Sequence, residues 1–165
     1  MKKLARNYAF IDAQNLNLGI QELGWKLDYR KFRRYLREKY AVEVAYMFLG
    51  FVTSNQGLYS ALQKAGFILS FKPVVLDGQG KFKGNVDADL VLQVMIDLEE
   101  FDQAVLVTSD GDFYSLVRHL YDLDKLKVVL SPSVKHCSSL LRKEAKEKIV
   151  YMSNLRKKLE YAPNK

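Results

Sequence analysis

Short apolar, β-branched or aromatic runs alternate with helix-spaced patterns about five times along the chain. That alternation predicts an α/β fold with a mostly parallel sheet and helices on both faces. The length of 165 residues corresponds to about one domain at roughly 150 residues each. With 48% hydrophobic and 27% charged residues, the chain has globular usage, which excludes disorder throughout.

Each element has a local reason. Residues 8–11 (Tyr-Ala-Phe-Ile) predict a buried strand ending at Asp12. Asp28 is placed to cap a helix over 29–40, with Phe32, Leu36 and Tyr40 on one face. Residues 42–49 predict the second strand. Ser54 or Asn55 opens a helix that Gly66 stops. Residues 67–75 predict the third strand, and Pro73 within it points to a sheet edge. A turn over 77–80 leads through a loop to a helix over 86–98, with Leu90, Val94 and Leu98 aligned. Residues 104–107 and 127–130 predict the fourth and fifth strands, with a helix over 112–121 between them. Ser133 or Ser138 opens a helix to about residue 148, and Ser153 caps a short last one over 154–161.

Composition removes several classes of function. No apolar stretch is long enough to span a bilayer. The basic start lacks the apolar segment of a signal peptide, since Asp12 and Gln14 interrupt it, which predicts a cytoplasmic protein. The single cysteine, Cys137, excludes an internal disulfide and a cysteine-based zinc site. Net charge is +7, divided unevenly: residues 1–39 and 131–165 are each +6, while 72–130 are −5. A basic protein with an acidic middle suits a polyanion on one surface and a cation on another.

The acids of that middle fall where an α/β sheet binds ligands, outside the carboxyl ends of the strands. Asp12 follows the first strand, and Asp110 and Asp112 follow the fourth. Asp87 and Asp89 stand where a long loop enters a helix. If the first and fourth strands are neighbours, their acids converge, and clustered carboxylates repel unless a cation lies between them. Oxygen-only ligands suit Mg²⁺ or Mn²⁺. The bland role for Asp87 and Asp112 is helix capping, whereas residues 11–15 do not read as an obvious cap. Asp110-Gly111-Asp112 does not continue as an EF-hand, and neither a Walker A lysine motif nor G-x-G-x-x-G is present. His119 and His136 read as surface residues and Cys137 as a packed one.

Three segments resemble the NYN domain family. Phe10-Ile11-Asp12-Ala13-Gln14-Asn15-Leu16 is similar to its opening, hydrophobic-Ile-Asp-x-x-Asn-Leu. Lys83-Gly84-Asn85-Val86-Asp87-Ala88-Asp89-Leu90 resembles its K-G-x-V-D segment. Val107-Thr108-Ser109-Asp110-Gly111-Asp112-Phe113 resembles its S-x-D-x-D-F segment, followed by Leu116 and Val117. The motifs stand in the family's order and cover most of residues 8–130. NYN domains belong to the PIN-like nucleases, whose bacterial branch is LabA-like.

The resemblance implies a three-layer α/β/α PIN-like (Rossmannoid) fold around a mostly parallel sheet, here expected to have five strands. It implies a single domain over 1–165, with a motif-bearing core of about 8–130 and a helical part over 131–165. The implied activity is Mg²⁺- or Mn²⁺-dependent endonucleolytic hydrolysis of RNA phosphodiester bonds, with one ion or two. The implied metal-binding acids are Asp12, Asp87, Asp110 and Asp112, with Asp89 as an additional acid. Asn15 takes the place of the polar residue that orients an acid or a water. Lys81 and Lys83 are candidates to hold phosphate. Arg30, Arg33, Arg34 and Arg37 form a basic helix stripe, and Lys143, Lys146, Arg156, Lys157 and Lys158 form a second basic region. Abundant Tyr and Phe suit stacking on single-stranded RNA. Homo-oligomerisation stays open. Two other readings remain: a non-catalytic RNA- or protein-binding module, and a metal-dependent phosphohydrolase of small molecules.

Overall fold

The computed structural model describes residues 3–73, 75–76, 78–79, 82–83 and 86–163. In chain order the first half comprises β1 (Asn7–Asp12), α1 (Ala13–Leu23), α2 (Tyr29–Tyr40), β2 (Val42–Phe51), α3 (Gln56–Ala65) and β3 (Ile68–Pro73). The short strands β4 (Val75–Leu76) and β5 (Phe82–Lys83) then pair antiparallel. The second half comprises α4 (Asp87–Ile96), β6 (Ala104–Val107), α5 (Tyr114–Asp122), β7 (Leu126–Ser131), α6 (Ser139–Ala145), β8 (Ile149–Tyr151) and α7 (Arg156–Leu159).

Six strands form one parallel sheet in the order β3-β2-β1-β6-β7-β8, so the expected count of five is corrected to six. The added strand is β8, three residues long, whose apolar run is too short to read as a strand. Its formation ends α6 at Ala145, before the expected residue 148, and Lys146 takes a left-handed φ of 55° at the turn. Residues 131–165 are therefore not only helical. β3 does lie at the sheet's edge, where the missing N–H of Pro73 is tolerated.

Period-two alternation divides each strand between two helical layers. Ala9 and Ile11 pack with Leu16, Phe32, Leu36 and Leu62 of α1–α3. Tyr8 and Phe10 pack with Leu90, Val94, Val117 and Leu141 of α4–α6. Both faces are covered, so β1 and β6 are buried along their whole length and read as unbroken apolar runs.

The sequence pass leaves residues 13–23 unassigned, yet they form α1. Two asparagines and Gly19 lower its helix propensity, but Leu16, Gly19 and Ile20 form a buried face. Gly19 is needed there, because a Cβ would lie 2.5 Å from Cβ of Pro132. The chain lays β1, β2 and β3 outward in one direction, then returns to place β6, β7 and β8 beyond β1. The order reverses between β1 and β6, which opens a crevice at their carboxyl ends.

Candidate metal centre

β1 ends on Asp12, and β6 leads through Thr108 and Ser109 to Asp110, so the pairing of these two strands carries both acids to the crevice. α4 starts at Asp87 and brings a third carboxylate to them. One oxygen from each of Asp12, Asp87 and Asp110 lies within 4.8 Å of the others, the spacing of ligands around one cation. Asp12 is buried, while Asp87 and Asp110 are half-buried.

A web of hydrogen bonds sets their positions. The Asn15 N–H donates to Asp12 Oδ1 at 3.3 Å, and the Thr108 hydroxyl donates to Asp12 Oδ2 at 3.5 Å. The Asp110 N–H donates to Thr108 Oγ1, and the Asp112 N–H donates to Asp110 Oδ1 at 2.9 Å. Asn15 Oδ1 accepts the Ser109 N–H at 2.7 Å, which ties the start of α1 to the loop after β6. Ser109 and Ser131 share a hydroxyl hydrogen bond at 3.0 Å, and the Ser133 N–H donates to Ser109 Oγ. These hydroxyls escape sequence reasoning, because only the sheet pairing brings them together. Gly111 is required in this loop, since a Cβ there would overlap the Ser138 hydroxyl that caps α6.

The capping roles differ from expectation. Asp12 caps α1 and Asp110 caps the 3₁₀ turn at Gly111–Phe113, whereas Val86 precedes α4 with no side-chain cap and Asp112 sits within its turn. Each of the two capping carboxylates thus has one oxygen anchored by a backbone N–H.

Burial pushes the Asp12 carboxyl up to about 6, and the charges of Asp87 and Asp110 push in the same direction. Hydrogen bonds from Asn15 and Thr108 oppose the rise but do not cancel it. A cation among the three acids would reverse this balance and hold all of them ionised. The donor set is oxygen only, which fits a hard divalent ion such as Mg²⁺ or Mn²⁺.

The other predicted site residues divide. Asp112 lines the same hollow but is exposed at its rim, outside the three-acid cluster. Asp89 is exposed and does not line the hollow, being two residues, or about 200° of helix rotation, from Asp87. Lys81 lies outside the described residues, as does the side chain of Lys83. Arg30, Arg34 and Arg37 are exposed on α2. Arg37 stands at the end of α2 that feeds into β2, at the amino edge of the sheet, and does not join the acids. Arg33 corrects the stripe: it is buried, and its guanidinium donates to the carbonyls of Gly66, Val42 and Glu43. It is a structural residue, with no face left for RNA.

The second basic region also separates. Lys143 and Lys146 belong with α6, on one side of the sheet, while α7 packs beside α2 on the other. There Lys157 and Lys158 face Lys31, Arg34 and Lys39 across a shallow groove.

A three-layer parallel fold with carboxylates at its switch point is the PIN-like arrangement. The NYN domain model matches residues 7–153, and the chain belongs to that family. It is 28% identical over 114 residues to the low amplitude and bright protein LabA of Synechococcus elongatus, which supports the LabA-like branch. That match covers 63% of this chain and 61% of LabA's own length. The fold is also similar to the crystal structure of a Vibrio parahaemolyticus protein of unknown function, with a TM-score of 0.79 at 22% identity. The likeness covers 92% of this chain and 96% of that one. Among the described residues, no helix is long and apolar enough to cross a membrane.

Proposed function

We propose that the chain acts as one NYN domain and is a Mg²⁺- or Mn²⁺-dependent endoribonuclease that hydrolyses RNA phosphodiester bonds. The observation that carries this reading is the convergence of Asp12, Asp87 and Asp110 oxygens within 4.8 Å at the switch point. A binding-only protein gains nothing from three acids that raise one another's proton affinity. A bound divalent ion supplies Lewis acidity toward a phosphate oxygen and lowers the pKa of a coordinated water. Asp12, Asp87 and Asp110 hold that ion, and Asp112 at the rim faces the water or substrate side. Asn15 is a positioning residue, since its backbone N–H holds Asp12 and its side chain holds the loop that carries Asp110. Calorimetric titration with Mn²⁺, followed by cleavage of labelled single-stranded RNA, tests the proposal. Mn²⁺ binding without cleavage of RNA would favour the binding module. Cleavage confined to phosphate monoesters would favour the phosphohydrolase.

The raised carboxyl of Asp12 gives the titration a pH dependence. In the metal-free protein the folded state holds a proton on Asp12 between about pH 4 and pH 6 that the unfolded chain has released. Stability of the metal-free protein is therefore expected to fall as pH rises through that window, by on the order of 3 kcal/mol. Mn²⁺ must displace the proton, so its affinity is expected to drop as pH falls below 6, by up to about tenfold per unit. Titrations at pH 5 and pH 7 check this, and equal affinities would remove Asp12 from the ligand set.

The cationic residues of α2 and α7 suit the RNA backbone. Reversing charge at Arg34 and Lys158 together is expected to weaken RNA binding at low salt. It should also lower the slope of log K against log salt by about one, at roughly 0.7 per single-strand phosphate contact. An unchanged slope would exclude that groove.

A further inference from the structure

Beside the acids lies a cleft that the cleavage chemistry does not use. It measures about 420 Å³, within the roughly 300–1,000 Å³ of small-molecule sites. It opens at the carboxyl end of β2 and shares Gln14 and Val86 with the acid hollow. None of its described lining residues is charged. Its floor is apolar, from Phe48 and Leu62, and exposed amides of Gln14, Asn17 and Asn55 stand at its rim. Tyr59 forms a fixed wall: its hydroxyl donates to the Gly50 carbonyl and accepts the Val52 N–H, and the Phe71 ring packs 4.8 Å from its own.

We propose that this cleft binds an unpaired nucleobase of the RNA strand, next to the phosphate held at the acids. The inference rests on the nuclease reading and adds to it a substrate class, single-stranded RNA with a base turned into the protein. A neutral cleft with aromatic and apolar walls rejects phosphate and ammonium groups but accepts a planar ring. Rim amides pair with the edge of that ring, offering both donors and acceptors. Because Gln14 and Val86 line both hollows, one strand can occupy both at once. A second hollow of about 380 Å³ continues the path, sharing Asn17, Tyr29 and Leu58, and exposed Lys26 there meets the next phosphate. A base inside a duplex would have to be unpaired before it could enter, so paired RNA binds more weakly.

The test follows the side-chain amide resonances of Gln14, Asn17 and Asn55 in ¹⁵N-labelled protein. The probes are a single-stranded pentaadenylate and adenosine 5′-monophosphate, each in buffer with Ca²⁺. The pentamer is expected to shift these resonances. Leu58→Trp, at an exposed position of α3, fills the cleft and is expected to weaken pentamer binding about tenfold. A pentamer with one abasic position makes the same comparison from the ligand side, whatever the variant's stability. Binding that leaves the three amides unmoved, or no loss with both Leu58→Trp and the abasic strand, would overturn the inference. Equal affinity for the monophosphate would assign the cleft to free nucleotides and overturn the RNA form. A separate cleavage assay keeps the two readings apart. Cleavage with unmoved amides sinks only the cleft, while shifted amides without cleavage sink only the nuclease.

Discussion

Asp110→Asn is expected to reduce Mn²⁺-dependent RNA cleavage on the order of a thousandfold while leaving the fold intact. Asparagine keeps the oxygen that accepts the Asp112 N–H at 2.9 Å, so the 3₁₀ turn retains its cap. What disappears is one negative charge among three crowded carboxylates. Two opposite consequences follow. Mn²⁺ affinity falls, because a neutral amide is a weaker ligand for a hard cation. The metal-free protein gains stability or holds it, because Asp110 is one of the charges that raise the Asp12 carboxyl. Thermal melts with and without Mn²⁺ read both effects. Wild type should melt higher with the ion, and the variant should respond much less. Full activity in the variant would remove Asp110 from the site. Lost activity accompanied by a lower metal-free melting point would point to damaged structure.

The acids are legible in the sequence for a physical reason. Strands of a parallel sheet are apolar on both faces, so the first carboxylate after each run marks the carboxyl edge, as Asp12 does after β1 and Asp110 after β6. Strand adjacency is less legible, yet it decides the site. Asp12 and Asp110 meet because β1 pairs with β6 and not with β3. The hydroxyls of Thr108, Ser109 and Ser131 carry no local signature, since they act only across that pairing. α1 is obscured by Asn15, Asn17 and Gly19, each a weak helix former, although tertiary packing of Leu16 and Ile20 overrides them. β8 is hidden by its length, because three residues show no period. The acid-lined crevice needs only local sequence, whereas the cleft beside it needs α1, β2 and α3 to be assembled.

Arg33 shows how a charge pattern misleads, and its replacement should be among the costliest in the chain. On α2 the core face carries Phe32, Leu36 and Tyr40, and Arg33 lies three residues before Leu36, within the buried arc rather than on the solvated stripe. Its Nε donates to Gly66 O at 3.2 Å, Nη1 to Val42 O at 3.2 Å and Nη2 to Glu43 O at 2.9 Å. One guanidinium therefore satisfies carbonyls at the start of β2 and at the end of α3, binding three elements together at the amino edge. Burial lowers its pKa, so its charge is retained against a desolvation penalty that these carbonyls offset. Arg33→Ala leaves the carbonyls unpaired and removes the side-chain carbons packed under Gly66, and it is expected to cost about 3 kcal/mol. At roughly 2–4 °C per kcal/mol for a protein of this size, the melting point drops by about 10 °C. Arg33→Lys rescues little, because an ammonium cannot reproduce the planar fork. Arg34→Glu, one residue on and exposed, should change stability by no more than about 0.5 kcal/mol. If Arg33→Ala melts like wild type but weakens RNA binding, the residue belongs to the nucleic-acid surface after all. If it melts early and the salt slope of RNA binding is unchanged, its charge serves the fold alone.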